Sequence, residues 1–236
     1  MVYQVLDWMQ RTLLTPTCVA CGNQGGDVLD LCAACHAELK WNLQACRRCA
    51  IPLPATDSDL CGACLRRSPR FHASYCAFEY GYPVSQFVQA LKYRHSPSHA
   101  QVLGKLLADF LQQHHQGDWP ECIVPVPLSS LRYRQRGFNQ AIEIGRFVEA
   151  LLKIKMDSAL LLRARHTIEQ AGLSRRERRK NLRNAFTIVG NVIPKHIAIL
   201  DDVVTTGSTV NEIARTLKRA GAQRIEVWAI TRASLH

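Results

Sequence analysis

Eight cysteines stand in four C-x-x-C pairs, Cys18/Cys21, Cys32/Cys35, Cys46/Cys49 and Cys61/Cys64, all within the first 64 of 236 residues. A C-x-x-C turn sets two sulfurs on one side of a tight knuckle, and two knuckles furnish the four thiolates of a tetrahedral Zn²⁺ site. Ten residues separate Cys21 from Cys32, and eleven separate Cys49 from Cys61. This duplication predicts two zinc ions in sequential ribbons. Spacing alone leaves open an interleaved pairing, first knuckle with third and second with fourth. Catalytic zinc keeps an open position, and four thiolates leave none, so the metal is read as structural. Cys76 and Cys122 fall on strand candidates and read as core residues.

The second chemically capable segment is Ile197-Ala-Ile-Leu-Asp-Asp-Val-Val-Thr-Thr-Gly-Ser-Thr209. A buried strand leads into two carboxylates, Asp201 and Asp202. Val203, Val204, Thr205, Thr206, Gly207, Ser208 and Thr209 then pass into a helix pattern. Such a loop converges backbone N–H groups, hydroxyls and a helix N-terminus on one point, which makes an anion site. Open α/β sheets bind ligands at this place, outside the carboxyl ends of their strands. The neighbouring acids can accept hydrogen bonds from sugar hydroxyls. Together the two halves ask for a ribose 5-phosphate.

Positive charge is the third resource. Lys+Arg 30 against Asp+Glu 19 gives +11, and two Zn²⁺ on eight thiolates lower that to about +7. The excess is local. Arg132, Arg134 and Arg136 form one cluster. Arg163, Arg165, Arg175, Arg176, Arg178, Arg179, Lys180 and Arg183 form another, opposed by Glu169 and Glu177. Ser174 and Glu177 make an S-x-x-E capping box, which predicts a short basic helix over Arg175–Asn184. The sign suits nucleic acid, phosphate or anionic lipid. Three uses compete for residues 163–183: a lid closing over a ligand, a track for a nucleic-acid backbone, or a solvated face. The segment has no aromatic residue, whereas Tyr133 and Phe138 lie beside the first cluster.

Alternating strand and helix signals must position these groups. Strands are predicted at Ser74–Tyr80, Cys122–Pro127, Ile197–Leu200 and Ile225–Ile230. Helical stripes run through Val84–Leu91, Val102–Leu111, Ala141–Leu152 and Val210–Ala220, the last closed by Gly221. Short apolar strands between helices argue for a mostly parallel sheet covered on both faces. Residues 18–64 are too poor in core residues to fold without staples, and Ser68-Pro69-Arg70 marks a boundary. The expected organisation is a metal module over 1–70, with a short amphipathic helix at 2–14 covering it or touching a membrane or partner, and an α/β domain over 71–236. No run of ~18 apolar residues occurs, and Asp7 breaks the N-terminal apolar stretch, so the expected location is cytoplasmic. P-loop, G-x-G-x-x-G and H-E-x-x-H motifs are absent.

The Asp201–Thr209 segment resembles the motif by which type I phosphoribosyltransferases bind 5-phosphoribosyl-1-pyrophosphate (PRPP): apolar residues, two acids, then T-T-G-x-T. The paired knuckles, Leu91-Lys92-Tyr93, Val124-Pro125-Val126-Pro127-Leu128, Arg136-Gly137-Phe138-Asn139-Gln140 and Gln170 together resemble the ComF/GntX family over essentially the whole chain. The resemblance implies a phosphoribosyltransferase-like sheet. It implies that Asp201 and Asp202 bind the ribose hydroxyls, residues 203–209 hold the 5-phosphate, and Mg²⁺ arrives with PRPP. It places a pyrophosphate loop at Arg132, Arg136 and Gly137 and a flexible hood at 163–183, with Gln170 inside it. It implies a competence factor that handles single-stranded DNA during uptake, with Arg134, Arg175, Arg176, Arg178, Arg179 and Lys180 as nucleic-acid contacts and other competence proteins as partners. Two alternatives stand beside this: an active phosphoribosyltransferase with an unidentified acceptor, and a zinc-ribbon adaptor in DNA or nutrient uptake.

Overall fold

The computed structural model describes residues 16–54, 58–163, 184–190 and 193–233. In its N-terminal part the duplication seen in the cysteine spacing is a duplication of backbone geometry. The Cys18 N–H donates to Asn23 O and the Gly22 N–H returns to Cys18 O; twenty-eight residues later Cys46 N–H donates to Ile51 O and Ala50 N–H to Cys46 O. Both turns close on a left-handed residue, Gly22 at φ 77° and Ala50 at φ 54°. Glycine takes that conformation without cost, while alanine is strained there. The second knuckle of each unit opens a short helix, with Cys32 capping α1 (Ala33–Ala37) and Cys61 capping α2 (Gly62–Arg66).

Four parallel strands form the main sheet, in the order β1 (Ala73–Glu79), β6 (Arg224–Arg232), β5 (His196–Val204), β2 (Cys122–Pro125). Between them run α3 (Val84–Arg94), α4 (Pro97–His114), α5 (Ser130–Arg136), α6 (Gln140–Leu152) and α7 (Ser208–Arg219). A separate antiparallel pair joins β3 (Leu161–Arg163) to β4 (Phe186–Ile188). Side chains alternate across a strand, and this sorts the core into two layers. Ala198, Leu200, Trp228 and Ile230 pack with α3, α4 and α6. Ile197, Ile199, Val227 and Ala229 pack with Val210, Ile213, Ala214 and Leu217 of α7. Helices α4 and α6 meet at Gly104, where an added Cβ would come within 2.7 Å of Phe147 Cβ.

Glu226 breaks the apolar run of β6 and is fully buried. Its carboxylate lies 2.8 Å from His115 Nε2, 3.2 Å from His196 Nε2 and 3.2 Å from Arg224. It also accepts from Trp228 Nε1 at 3.3 Å. Burial pushes the carboxyl pKa up; the bond to His115 and the surrounding positive charges outweigh that and hold it below the usual range.

Both edges of the sheet carry extra chain. Along β1, Asn42 N–H donates to Ala77 O, Glu79 N–H to Lys40 O and Ser74 N–H to Arg47 O. Along β2, Ile123 N–H donates to Lys155 O and Asp157 N–H to Ile123 O. Trp41 seals the first of these, with its ring 4.4 Å from Phe78 and 6.0 Å from Phe110.

Two differences from the sequence reading bear on the site. Strand β5 does not stop at Leu200. Register with β6 continues through Asp201↔Ala229 and Val204↔Arg232, so both acids sit inside a paired strand. Arg132, Arg134 and Arg136 lie on the helix α5, capped by Ser129, whose Oγ accepts from Arg132 N–H. The predicted N-terminal helix and the basic helix after Ser174 lie outside the described residues.

Candidate functional site

The four sulfurs of Cys18, Cys21, Cys32 and Cys35 lie within 4.8 Å of one another, and so do those of Cys46, Cys49, Cys61 and Cys64. This decides the pairing as sequential. Zn–S bonds of about 2.3 Å in a tetrahedron put sulfurs about 3.8 Å apart. Cys21 and Cys32 stand at 3.9 Å and Cys49 and Cys61 at 3.7 Å. The donor set, the spacing and the absence of disulfides fit Zn²⁺ at both places.

The second site lies at the carboxyl end of β5. Asp202 is buried; its Oδ1 accepts from Val203 N–H at 2.8 Å, and its Oδ2 lies 2.8 Å from Lys92 Nζ in the last turn of α3. Asp201 accepts from Asp202 N–H at 2.9 Å. Burial, and then the charge of Asp202, push the Asp201 carboxyl well above the ordinary range. Of the two acids, Asp202 is the one paired with a cation.

Past Val204 the chain turns through Thr205 and Thr206 to Gly207, which takes φ 71° at the head of α7. Thr206 Oγ1 donates to Ser208 Oγ at 2.8 Å and accepts from Ser208 N–H at 3.3 Å. The loop hangs from one buried guanidinium. Arg232 Nη1 donates to Val204 O at 3.0 Å, to Ala233 O at 2.7 Å and to Thr205 O, while its Nε donates to Cys49 O at 2.8 Å. One side chain thus ties a zinc knuckle to the loop, and it lays positive charge beneath it.

Helix α5 brings in the cations. Arg132 is close enough to Asp202 and Arg136 to feel both: burial and then Arg136 lower its pKa, while Asp202 opposes them. Arg163, at the end of β3, is pushed down by burial and then Arg132, with Asp201 opposing. Arg136 donates to Gln140 Oε1 at 3.1 Å and lies over the exposed Tyr93 ring, 5.7 Å from its centroid. Gly137 ends α5 at φ 77°. Phe138 is buried and stacks on His95 at 4.0 Å, so it is packing. Tyr133 is 52% exposed beside Arg132 and Arg134. Asp201, Asp202, Arg132 and Arg136 therefore converge, and so do the Thr205–Thr209 loop and the end of β5. Gln170, Arg175, Arg176, Arg178, Arg179 and Lys180 lie outside the described residues.

Residues 9–65 match the double zinc ribbon domain family. Competence protein F of Haemophilus influenzae is 34% identical over 223 residues, covering 92% of this chain and 96% of that protein. The chain belongs to the competence protein F family. Within that family, the DNA utilization protein YhgH of Escherichia coli K12 is 37% identical over 208 residues, 86% of this chain and 90% of its own. Competence protein ComFC of Streptococcus pneumoniae is 33% identical over 132 residues, 56% and 57% of the two chains. Among solved structures, the glutamine PRPP amidotransferase of B. subtilis covers 57% of this chain and 26% of its own, at 22% identity and a TM-score of 0.37. A purine phosphoribosyltransferase of Pyrococcus horikoshii covers 56% and 82%, at 18% identity and a TM-score of 0.33. The fold of this family member is a parallel sheet with helices on both faces, behind two four-cysteine zinc ribbons.

Three residues of the site were given no role there by sequence reasoning, although Lys92 stands in the Leu91-Lys92-Tyr93 motif and Arg163 in the second basic cluster. Lys92 stands 110 positions before its partner Asp202 and reads locally as the polar end of a helix. Arg163 reads as one of a run of surface arginines. Arg232 reads as the solvated end of a strand. Each carries one usable signal, a cation directly beside or within an apolar stripe, where unpaired charge is rare.

Proposed function

We propose that this protein binds PRPP at the carboxyl end of β5 and serves the handling of single-stranded DNA in competence or DNA utilization. Residues 1–70 act as the metal module and residues 71–236 as the ligand domain. The observation that carries the reading is the convergence on one strand end of two acids, a hydroxyl-rich loop at a helix N-terminus, and cations from two other helices. In this reading the 5-phosphate rests on Thr205–Thr209, where N–H groups and hydroxyls meet. The ribose hydroxyls donate to Asp201 and Asp202. The diphosphate lies toward Lys92, Arg132, Arg136 and Gly137, with positive charge placed where a departing diphosphate gathers negative charge. Among the described residues, Lys92 and a backbone N–H already occupy Asp202. Magnesium commonly binds through one or two carboxylates plus ligand phosphates, so here it would ride on the diphosphate.

Calorimetry with PRPP–Mg²⁺ tests the assignment. Asp202→Asn and Asp201→Asn each remove charged acceptors worth about 1.5–3 kcal/mol per bond, a loss of roughly 10- to 100-fold in affinity. Zinc content should stay at the parent level. Parent-like PRPP binding by both variants would place the ligand elsewhere.

The names of its relatives, competence protein and DNA utilization protein, and the basic surface support the nucleic-acid half of the proposal. Arg134 on α5 and the exposed rings of Tyr93 and Tyr133 give phosphate and stacking contacts on one surface. Arg175, Arg176, Arg178, Arg179 and Lys180 extend the basic stretch in sequence.

A further inference from the structure

At the opposite end of the sheet, the amino ends of β1 and β6, lies a cleft of about 550 Å³. That is within the range of small-molecule sites. Its walls come from two parts of the chain: the segment Asn42–Ala50 of the zinc module, and the start of β1 with the end of α4. No Asp or Glu lines it, whereas Arg47, His72, His114 and Arg224 do. His72 Nδ1 accepts from Ile225 N–H at 3.0 Å, which leaves its proton on Nε2 as a donor. Arg47 and Arg224 each keep an acid outside the cleft, Asp59 at 2.7 Å and Glu226 at 3.2 Å, and these orient them. The same walls carry flat apolar surface, Tyr75 and Phe110, the latter braced by Trp41.

Asn42 supplies the independent observation. Its side chain is buried, its Nδ2 donates to Ala50 O at 2.9 Å, and its Oδ1 has no hydrogen-bond partner. A buried acceptor without a donor is destabilising and is uncommon in native proteins. A ligand N–H satisfies it. The cleft therefore offers four side chains that carry N–H donors, ring surface and one acceptor in a single cavity. We propose that it binds a nucleoside monophosphate unit, with the phosphate between Arg47, His72, His114 and Arg224 and the base against Tyr75 and Phe110. The unit is either a free mononucleotide or the 5′-phosphorylated end of a strand. This site is separate from the PRPP reading and stands without it.

The test uses the full-length, zinc-loaded protein and calorimetry with dAMP, dTMP, inorganic phosphate, and an oligonucleotide with or without a 5′-phosphate. Binding of a mononucleotide or of the 5′-phosphorylated strand is expected. Arg47→Gln with His114→Gln should weaken it by about 10- to 100-fold, the effect of losing one charge-assisted bond. Zinc content and thermal midpoint, read on the same samples, show that the variant is folded. Asp202→Asn should bind as the parent does. A phosphorylated strand that binds where free dAMP and dTMP do not identifies a strand end as the source, and the reverse identifies a free nucleotide. The proposal is overturned if inorganic phosphate binds as tightly as dAMP, if neither nucleotide nor strand binds at millimolar concentration, or if Asp202→Asn abolishes binding.

Discussion

Arg232→Met removes a guanidinium that is 4% exposed and donates to four backbone carbonyls, those of Cys49, Val204, Thr205 and Ala233. Among the described residues no carboxylate pairs with it, so these carbonyl dipoles are what stabilises the charge. Thr205 is exposed and Ala233 half-buried, and their carbonyls regain water in the variant. The carbonyl of Val204, which is buried, does not. One charge-assisted bond sets the expected loss at about 1.5–3 kcal/mol. That is a sizeable part of the 5–15 kcal/mol typical of a domain. With a urea dependence of about 3 kcal/mol per molar, the unfolding midpoint should fall by about 0.5–1 M. Hydrogen exchange reads the geometry directly: amides near 49–51 and near 204–206 should lose protection together. Arg232→Lys should fall between parent and Met, because a lysine reaches fewer carbonyls. A midpoint within about 0.3 M of the parent, or deprotection confined to one of the two segments, would refute the claim that one side chain joins knuckle and loop.

Elemental analysis should find two zinc ions per chain, and a strong chelator should unfold residues 18–64 before the sheet; one ion refutes the paired ribbons. His72, His99 and His196 are each pushed below the ordinary histidine value, first of all by burial. The unfolded chain then binds more protons below its own value of about 6.5, so their contribution is complete above that pH and falls as the pH drops through it. The thermal midpoint should decline between pH 7.5 and 5.5 while bound zinc is monitored, and a flat profile removes the argument. Binding of single-stranded DNA should weaken steeply with salt, about 0.7 logarithmic units per tenfold salt for each neutralised phosphate. Changing Arg175, Arg176, Arg178 and Arg179 together to Gln should shallow that slope, and a parent with no salt dependence excludes the electrostatic grip.

The cysteine spacing and the acid–hydroxyl loop were legible because each packs its chemistry into a few consecutive residues. The duplication pointed to sequential zinc pairing without excluding the interleaved one, because both pairings satisfy the same local turns and only tertiary packing separates them. The end of β5 was misplaced at Leu200 because carboxylates and hydroxyls read as loop. Pairing with an equally long β6 overrides that preference. Lys92 and Arg232 act on residues 110 and 28 positions away, where no local pattern reports contact. Glu226 was different. A lone carboxylate between Ile225 and Val227 is a visible anomaly in a buried strand, and its histidine and arginine partners are the physical reason it is tolerated.

The strips of chain along β1 and β2 have a consequence for how this protein fails. An open sheet normally offers its outer strands as templates on which another molecule can grow. Here Lys40–Arg47 closes one border and Lys155–Asp157 the other. The first of these strips is built between zinc knuckles, and the second is not. Metal starvation would therefore uncover a single border, that of β1, and self-assembly of the zinc-free protein would begin there, strand against strand, with the β2 side still closed.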